Sequence, residues 1–263
     1  LIAGFTAIGV GRGAICMTCH NSRRGLHNDD TYGGIAGTSE VTRAPHGSAQ
    51  ADILMGQNAY LVATGIRGEH SLVTDTCVNC HMVKTPPPDL LAYEQGGTNH
   101  TFAASTAICS TCHGEAFDAA GVQNGVDANL AALEGAITQA IRAIMEEQIA
   151  AGNSIDLGGQ ALVADPAEIL TIAFGESHGQ QAITVTLAGG ATVGPVALGD
   201  VDVVDPMSNV LGMLYDFADA RLIKSGWNWA LITNDSSRGV HNPSFTFGVL
   251  DASIDALAAL SSE

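Results

Sequence analysis

The chain has 263 residues, 27 acidic against 10 basic, a formal charge of -17, and 14% charged and 5% aromatic residues. Such an acidic chain lacks the cationic footprint that nucleic acid requires. It contains no uninterrupted apolar run long enough to suggest a membrane span, and so few aromatics make a thin core unless something else fills it.

The chain opens on Leu1 with no basic, apolar and small-residue leader pattern, as expected of a mature chain or a fragment. Residues 1–120 read as one loop-rich segment, with Gly, Thr and Pro clusters such as "KTPPPD". Within it, residues 48–64 are expected to form a helix, because Ala51, Ile53, Leu54, Ala59 and Leu61 make a broad apolar stripe. Residues 121–263 read as a mostly helical segment packing on the first. Its strongest helix is expected over 126–151, where Leu130, Leu133, Ile137, Ile141, Ile144 and Ile149 recur at three- and four-residue steps and "AGN" stops the run. Residues 182–204 alternate and predict a small β ribbon. Residues 207–232 and 249–261 return to helical spacing, with Trp227 and Trp229 as core residues. The acid run "GDVDVVDP" reads as a solvated edge rather than a calcium loop, since it lacks the glycine and distal glutamate of an EF-hand. The expected fold class is mainly α with much irregular loop, a cofactor-packed core, a helical C-terminal half and a small β ribbon.

All six cysteines fall in three pairs: Cys16 and Cys19, Cys77 and Cys80, Cys109 and Cys112. Each pair is followed directly by a histidine, in "CMTCH", "CVNCH" and "CSTCH". Chance places a histidine after any one pair only about 3% of the time. Zinc ribbons need no histidine at that position, and a third pair would be stranded. Disulfides within the pairs would close only tiny loops. C-x-x-C-H is the signature of covalent c-type haem attachment. On a helical turn the two thiols share a face and reach the two vinyl groups of a porphyrin, while the histidine beside them meets the iron. The reading is three haem c groups, bound by the six cysteines, with His20, His81 and His113 as proximal ligands. Three macrocycles would supply the missing apolar core.

The distal ligands are expected among the other histidines. His46 stands before an amphipathic run, His100 lies between the second and third motifs, His241 lies in the turn "SSRGVHNPSF", and His70 is seven residues before Cys77. These four compete for three positions. His27 reads as a surface or propionate-contacting group beside Arg23 and Arg24. His178 reads as a solvated loop histidine. Met55 and Met145 read as core, and Met17 and Met82 adjoin the motifs too closely to turn back to their own irons.

The three motifs, "CVNCHM" followed by "GTNHTF", and the late "GVHNPSF" together resemble the multihaem cytochromes c of metal-reducing and other anaerobic respiring bacteria and archaea. In that group an H-x-F histidine after the CHM motif and the histidine of a GVHNP turn commonly act as distal ligands, which implies His100 and His241. The resemblance implies electron transfer through bis-histidine haems, redox proteins or extracellular acceptors as partners, and a periplasmic, cell-surface or extracellular location. Some members polymerise into conductive filaments in which one subunit ligates a haem of the next, and a surplus of histidines is compatible with such a homopolymer. One departure concerns the related multihaem nitrite reductases, which carry a C-x-x-C-K motif. The only lysines here, Lys84 and Lys224, follow no cysteine pair. The alternative to a carrier is a multihaem oxidoreductase, or a fragment of one, with an open catalytic haem.

Overall fold

The structure is a computed structural model that describes residues 6–22, 43–83, 101–104, 106–115 and 117–260. The elements closest to the N-terminus are short. Helix α1 (Ala14–Met17), α2 (Gln50–Leu54), α3 (Cys77–His81) and α4 (Ser110–His113) are single turns joined by irregular chain. The helix expected over 48–64 is only α2. It stops because Gly56 takes a positive φ and has its Cα against the Ile66 backbone, where a Cβ would lie 1.9 Å from the carbonyl oxygen. Asn58 and Leu61 also take positive φ, which no helix accommodates.

Helix α5 (Ala119–Ala150) is the longest element. The Asp118 carboxylate accepts from the Gly121 backbone N–H and caps its start. Val126, Leu133, Ile137, Ile141, Met145 and Ile149 form its buried stripe. Gly152, at positive φ, follows its end. Helices α6 (Ala220–Asp235) and α7 (Pro243–Leu260) pack on α5 and on each other. By length and composition, α7 is the one described helix apolar enough to cross a membrane. Its Phe245, Val249, Leu250 and Leu257 are buried in the core shared with α5 and α6.

Between α5 and α6 the structure corrects the expected fold class. Instead of one small ribbon, residues 154–213 form seven strands: β1 (Ser154–Leu157), β2 (Leu162–Val163), β3 (Ile169–Ser177), β4 (Gln180–Leu187), β5 (Thr192–Ala197), β6 (Val201–Val204) and β7 (Val210–Met213). They make two antiparallel sheets, of order β2-β1-β6-β7 and β3-β4-β5. The molecule is therefore helix and sheet together, not mainly α with a ribbon. The missed strands are short, and several carry acids on alternate positions. In β6 Val201 and Val203 are buried while Asp202 faces outward, so the supposed acidic edge is a half-buried strand. β1 repeats the pattern with Ile155 and Leu157, and pairs Ile155 with Val203. The expected helix over 207–232 loses its first part to β7. Its helical part begins after Asp219, whose side chain accepts from the Arg221 N–H at 2.7 Å.

The irregular N-terminal chain is held by side chains of the C-terminal helices. Backbone groups that pair with no strand or helix must find other partners. The Asn228 side chain accepts from the Tyr60 N–H at 2.8 Å and donates to the Tyr60 carbonyl at 2.9 Å. Trp227 Nε1 donates to the Asn58 carbonyl at 2.8 Å, and its buried ring meets Tyr60 edge-on. Asn242 Nδ2 donates to the carbonyls of Ile53 and Ile66, at 3.1 and 2.9 Å. These bonds seat residues 50–68 on the C-terminal helices.

Candidate metal centres

Each C-x-x-C-H motif lies on a helical turn. The His20 N–H donates to the Cys16 carbonyl and the His113 N–H to the Cys109 carbonyl, both at 2.8 Å, while Cys77–His81 is itself α3. Both thiols of a motif and its histidine thus share one turn. All six cysteines are free of disulfides.

The second motif sits between the other two. Burial pushes the Cys16 thiol pKa up, and the neighbouring Cys77 thiol adds to the shift by charge and hydrogen bond. Burial likewise raises Cys80, with further contributions from Cys109, Cys77 and Cys112. Cys77 therefore faces the first motif and Cys80 the third. The first contact is built by close packing. Arg12 binds Asp75 through its backbone N–H at 2.8 Å and its Nε at 2.7 Å. Thr76 Oγ1 donates to the Val10 carbonyl, and Gly13 lies so near Thr76 that a Cβ would fall 1.9 Å from that oxygen.

Two motif histidines each face a histidine from outside the motifs. The rings of His81 and His241 have centres 6.3 Å apart, and those of His113 and His70 are 6.0 Å apart. An imidazole nitrogen lies about 1.15 Å from its ring centre and about 2.0–2.1 Å from a bound metal, so imidazoles on opposite sides of one ion have centres about 6.3–6.5 Å apart. Both pairs fall within a few tenths of an ångström of that spacing.

The hydrogen bonds at Nδ1 fix which nitrogen is available. His81 Nδ1 lies 2.8 Å from the Phe102 carbonyl oxygen, and His70 Nδ1 lies 2.6 Å from that of Val240. A carbonyl only accepts, so Nδ1 carries the hydrogen and Nε2 keeps the lone pair that binds metal. His20 Nδ1 meets Gln50 Oε1 at 3.1 Å. The orientation of that amide follows from its nitrogen, which donates to the backbone carbonyls of Asn234 and Asp235. His241 Nδ1 meets a carboxylate, Asp235 Oδ1, at 2.6 Å. Burial opposes charge on the His241 ring, but the Asp235 charge and hydrogen bond outweigh it and hold the ring's pKa above the ordinary histidine value.

The remaining candidates separate from these pairs. His46 has a buried Nδ1 without a hydrogen-bond partner, and its N–H donates to the Ser22 carbonyl. No histidine ring faces His20 or His46 among the described residues. His178 is exposed and occupies, with Gly179, the two positive-φ positions of the β3–β4 hairpin turn. His27, His100, Arg23, Arg24 and Lys84 lie outside the described residues. Sequence reasoning missed Gln50, Phe102, Asp235 and Val240. None of them stands at a fixed spacing from the histidine it orients, and only the fold brings them together.

The protein alone leaves large apolar side chains uncovered around these motifs. Ile15 precedes Cys16 and is 77% exposed, Leu72 follows His70 by two residues and is 65% exposed, and Phe117 is stacked on His113. Flat apolar bodies covering this segment would bury such surface. The described residues form no cluster of three or more His, Cys, Asp or Glu able to hold a bare ion. At the second and third motifs the structure instead brings together two imidazoles whose ring spacing suits one metal ion between them. The donor set fits haem c at the second and third motifs. Compared with protein-family models, curated proteins and solved structures, the chain finds no match in any of the three.

Proposed function

We propose that the chain is an electron-carrying c-type cytochrome with three covalently bound haems, acting outside the cytoplasm. The observation that carries this reading is the pairing of His81 with His241 and of His113 with His70, at spacings of 6.3 and 6.0 Å that suit one metal ion between each pair.

In this reading Cys16, Cys19, Cys77, Cys80, Cys109 and Cys112 would hold the haems through thioether bonds, and His20, His81 and His113 would be the proximal ligands. His241 serves the second motif and His70 the third. Iron between two imidazoles has no open position and exchanges single electrons. Phe102, Val240 and Gln50 orient the imidazoles, and the packing of Arg12, Gly13 and Thr76 holds the first motif against the second. The closeness of Cys16 to Cys77, and the electrostatic influence of Cys109 and Cys112 on Cys80, favour an order in which the second haem would lie between the others. Redox proteins or extracellular acceptors would meet its ends.

The test is made on protein expressed with a c-type haem maturation system and exported. Expected are three covalent haems per chain by mass and haemochrome absorbance, and low-spin signals in paramagnetic resonance at the second and third motifs. No covalent haem would overturn the reading. A high-spin fraction equal to one haem in three would replace the conduit with an open-site oxidoreductase.

A further inference from the structure

Four candidate ligands have a hydrogen-bonded Nδ1. Three meet neutral oxygens, those of Gln50, Val240 and Phe102. His241 meets the carboxylate of Asp235, whose side chain is 1% exposed. The other carboxylate oxygen accepts from the neutral Ser237 hydroxyl, and Ser237 Oγ in turn accepts from the His241 N–H at 3.2 Å. Among the described residues no lysine or arginine forms a salt bridge with this carboxylate.

We propose that Asp235 is a positioning residue that lowers the potential of the iron between His81 and His241, the middle one of the three. The inference rests on the haem reading above. Two effects act in the same direction. A buried negative charge one imidazole away stabilises the oxidised iron, which carries one more positive charge than the reduced iron, and little solvent screens it. A carboxylate accepting from Nδ1–H also makes Nε2 a stronger donor, which again favours the oxidised state. Carbonyl and amide acceptors do this less, and neither the His113–His70 pair nor His20 has a carboxylate on the Nδ1 of its imidazole.

The experiment is a spectroelectrochemical titration of the three-haem protein, unaltered and as Asp235→Asn. Expected in the unaltered protein is one midpoint below the other two, belonging to the iron whose low-spin signal His241→Ala removes. In Asp235→Asn that midpoint alone rises, with the low-spin spectrum retained. Ser237→Ala removes the hydroxyl that shares the carboxylate and should lower the same midpoint, so it carries the test if Asp235→Asn loses the ligand. Asp235→Asn protein that stays low-spin with its midpoints unmoved overturns the inference, as does a rise of all three together. Haem staining of the unaltered protein, done first, separates those results from failure of the haem reading itself.

Discussion

The carbonyl of Val240 accepts the Nδ1 hydrogen of His70 at 2.6 Å, and the next residue along the chain, His241, faces His81. One turn between α6 and α7 thus orients a ligand for the third motif and supplies one for the second. The end of α6 reaches the first motif as well, because Gln50 donates to the Asn234 and Asp235 carbonyls while its Oε1 accepts from His20. The last residues of α6 and the seven-residue turn after them, far from every cysteine in sequence, therefore fasten the C-terminal helices to all three motifs.

Removing either distal ring should open one iron and no other. His241→Ala and His70→Ala are each expected to turn one haem in three high-spin, and the double variant two in three. His178→Ala, at the tip of the β3–β4 hairpin, should leave the spectrum unchanged. Absorption and paramagnetic resonance of the oxidised proteins measure this. A single variant that changed two haems would contradict the pairing.

Asn242 is expected to be the costliest residue of the turn to truncate. Its Nδ2 serves two carbonyls of the irregular segment, and its Oδ1 accepts from the Phe245 N–H to cap α7, with Pro243 in the first helical position. Asn242→Ala takes its donor from the Ile66 carbonyl, leaves the Ile53 carbonyl with the Gly56 N–H alone, and uncaps the helix, at a combined cost of about 2–4 kcal/mol. Urea denaturation followed by far-ultraviolet circular dichroism would register it as a lower midpoint.

The contact between the first two motifs can be tested from its tightest point. A methyl at residue 13 would overlap Thr76 Oγ1, and the neighbouring Asp75 carbonyl, 3.0 Å from the same position, blocks a simple retreat. Gly13→Ala should destabilise the protein by about 1–3 kcal/mol and move the first motif away from the second. Spin coupling between the two haems, read from the paramagnetic resonance line shape, should weaken, while Gly135→Ala, in α5 where a Cβ meets nothing within 4 Å, should not weaken it.

That each C-x-x-C-H motif occupies a helical turn was legible from sequence because the motif is local: five residues on one turn need no tertiary fold to make sense. The α5 stripe was legible for the same reason, since Leu133, Ile137 and Ile141 repeat within one helix. His70 and His241 could be singled out as candidates, but not matched to motif histidines, because that depends on where the chain between α6 and α7 lands. The sheets were missed where alternation was carried by only two apolar residues, as at Val201 and Val203 in β6, or at Ile155 and Leu157 in β1, which ends at the Gly158–Gly159 turn. Asp235 was invisible for a further reason: its role depends on burial beside a ring six residues away, and no periodicity marks that.

Asp52 makes a prediction about pH. It is buried beside the first motif, where its carboxylate accepts from the Ser22 N–H at 2.8 Å. Burial pushes its pKa up to about 6, more than the hydrogen bonds from Ser22 and Asn58 pull it down. An unfolded aspartate releases its proton near 3.9, so between about 4 and 6 the folded chain binds more protons than the unfolded one. Stability from this group is therefore greatest below pH 4, declines as pH rises to about 6, and is then constant, a loss of up to about 3 kcal/mol. Asp52→Asn removes that decline. It should gain about 1–2 kcal/mol over the unaltered protein at pH 7, once its weaker hydrogen bonding is subtracted, and lose the advantage at pH 4. Urea midpoints of both proteins at the two pH values decide it. An equal difference at both would show that the carboxylate keeps its charge in the folded chain.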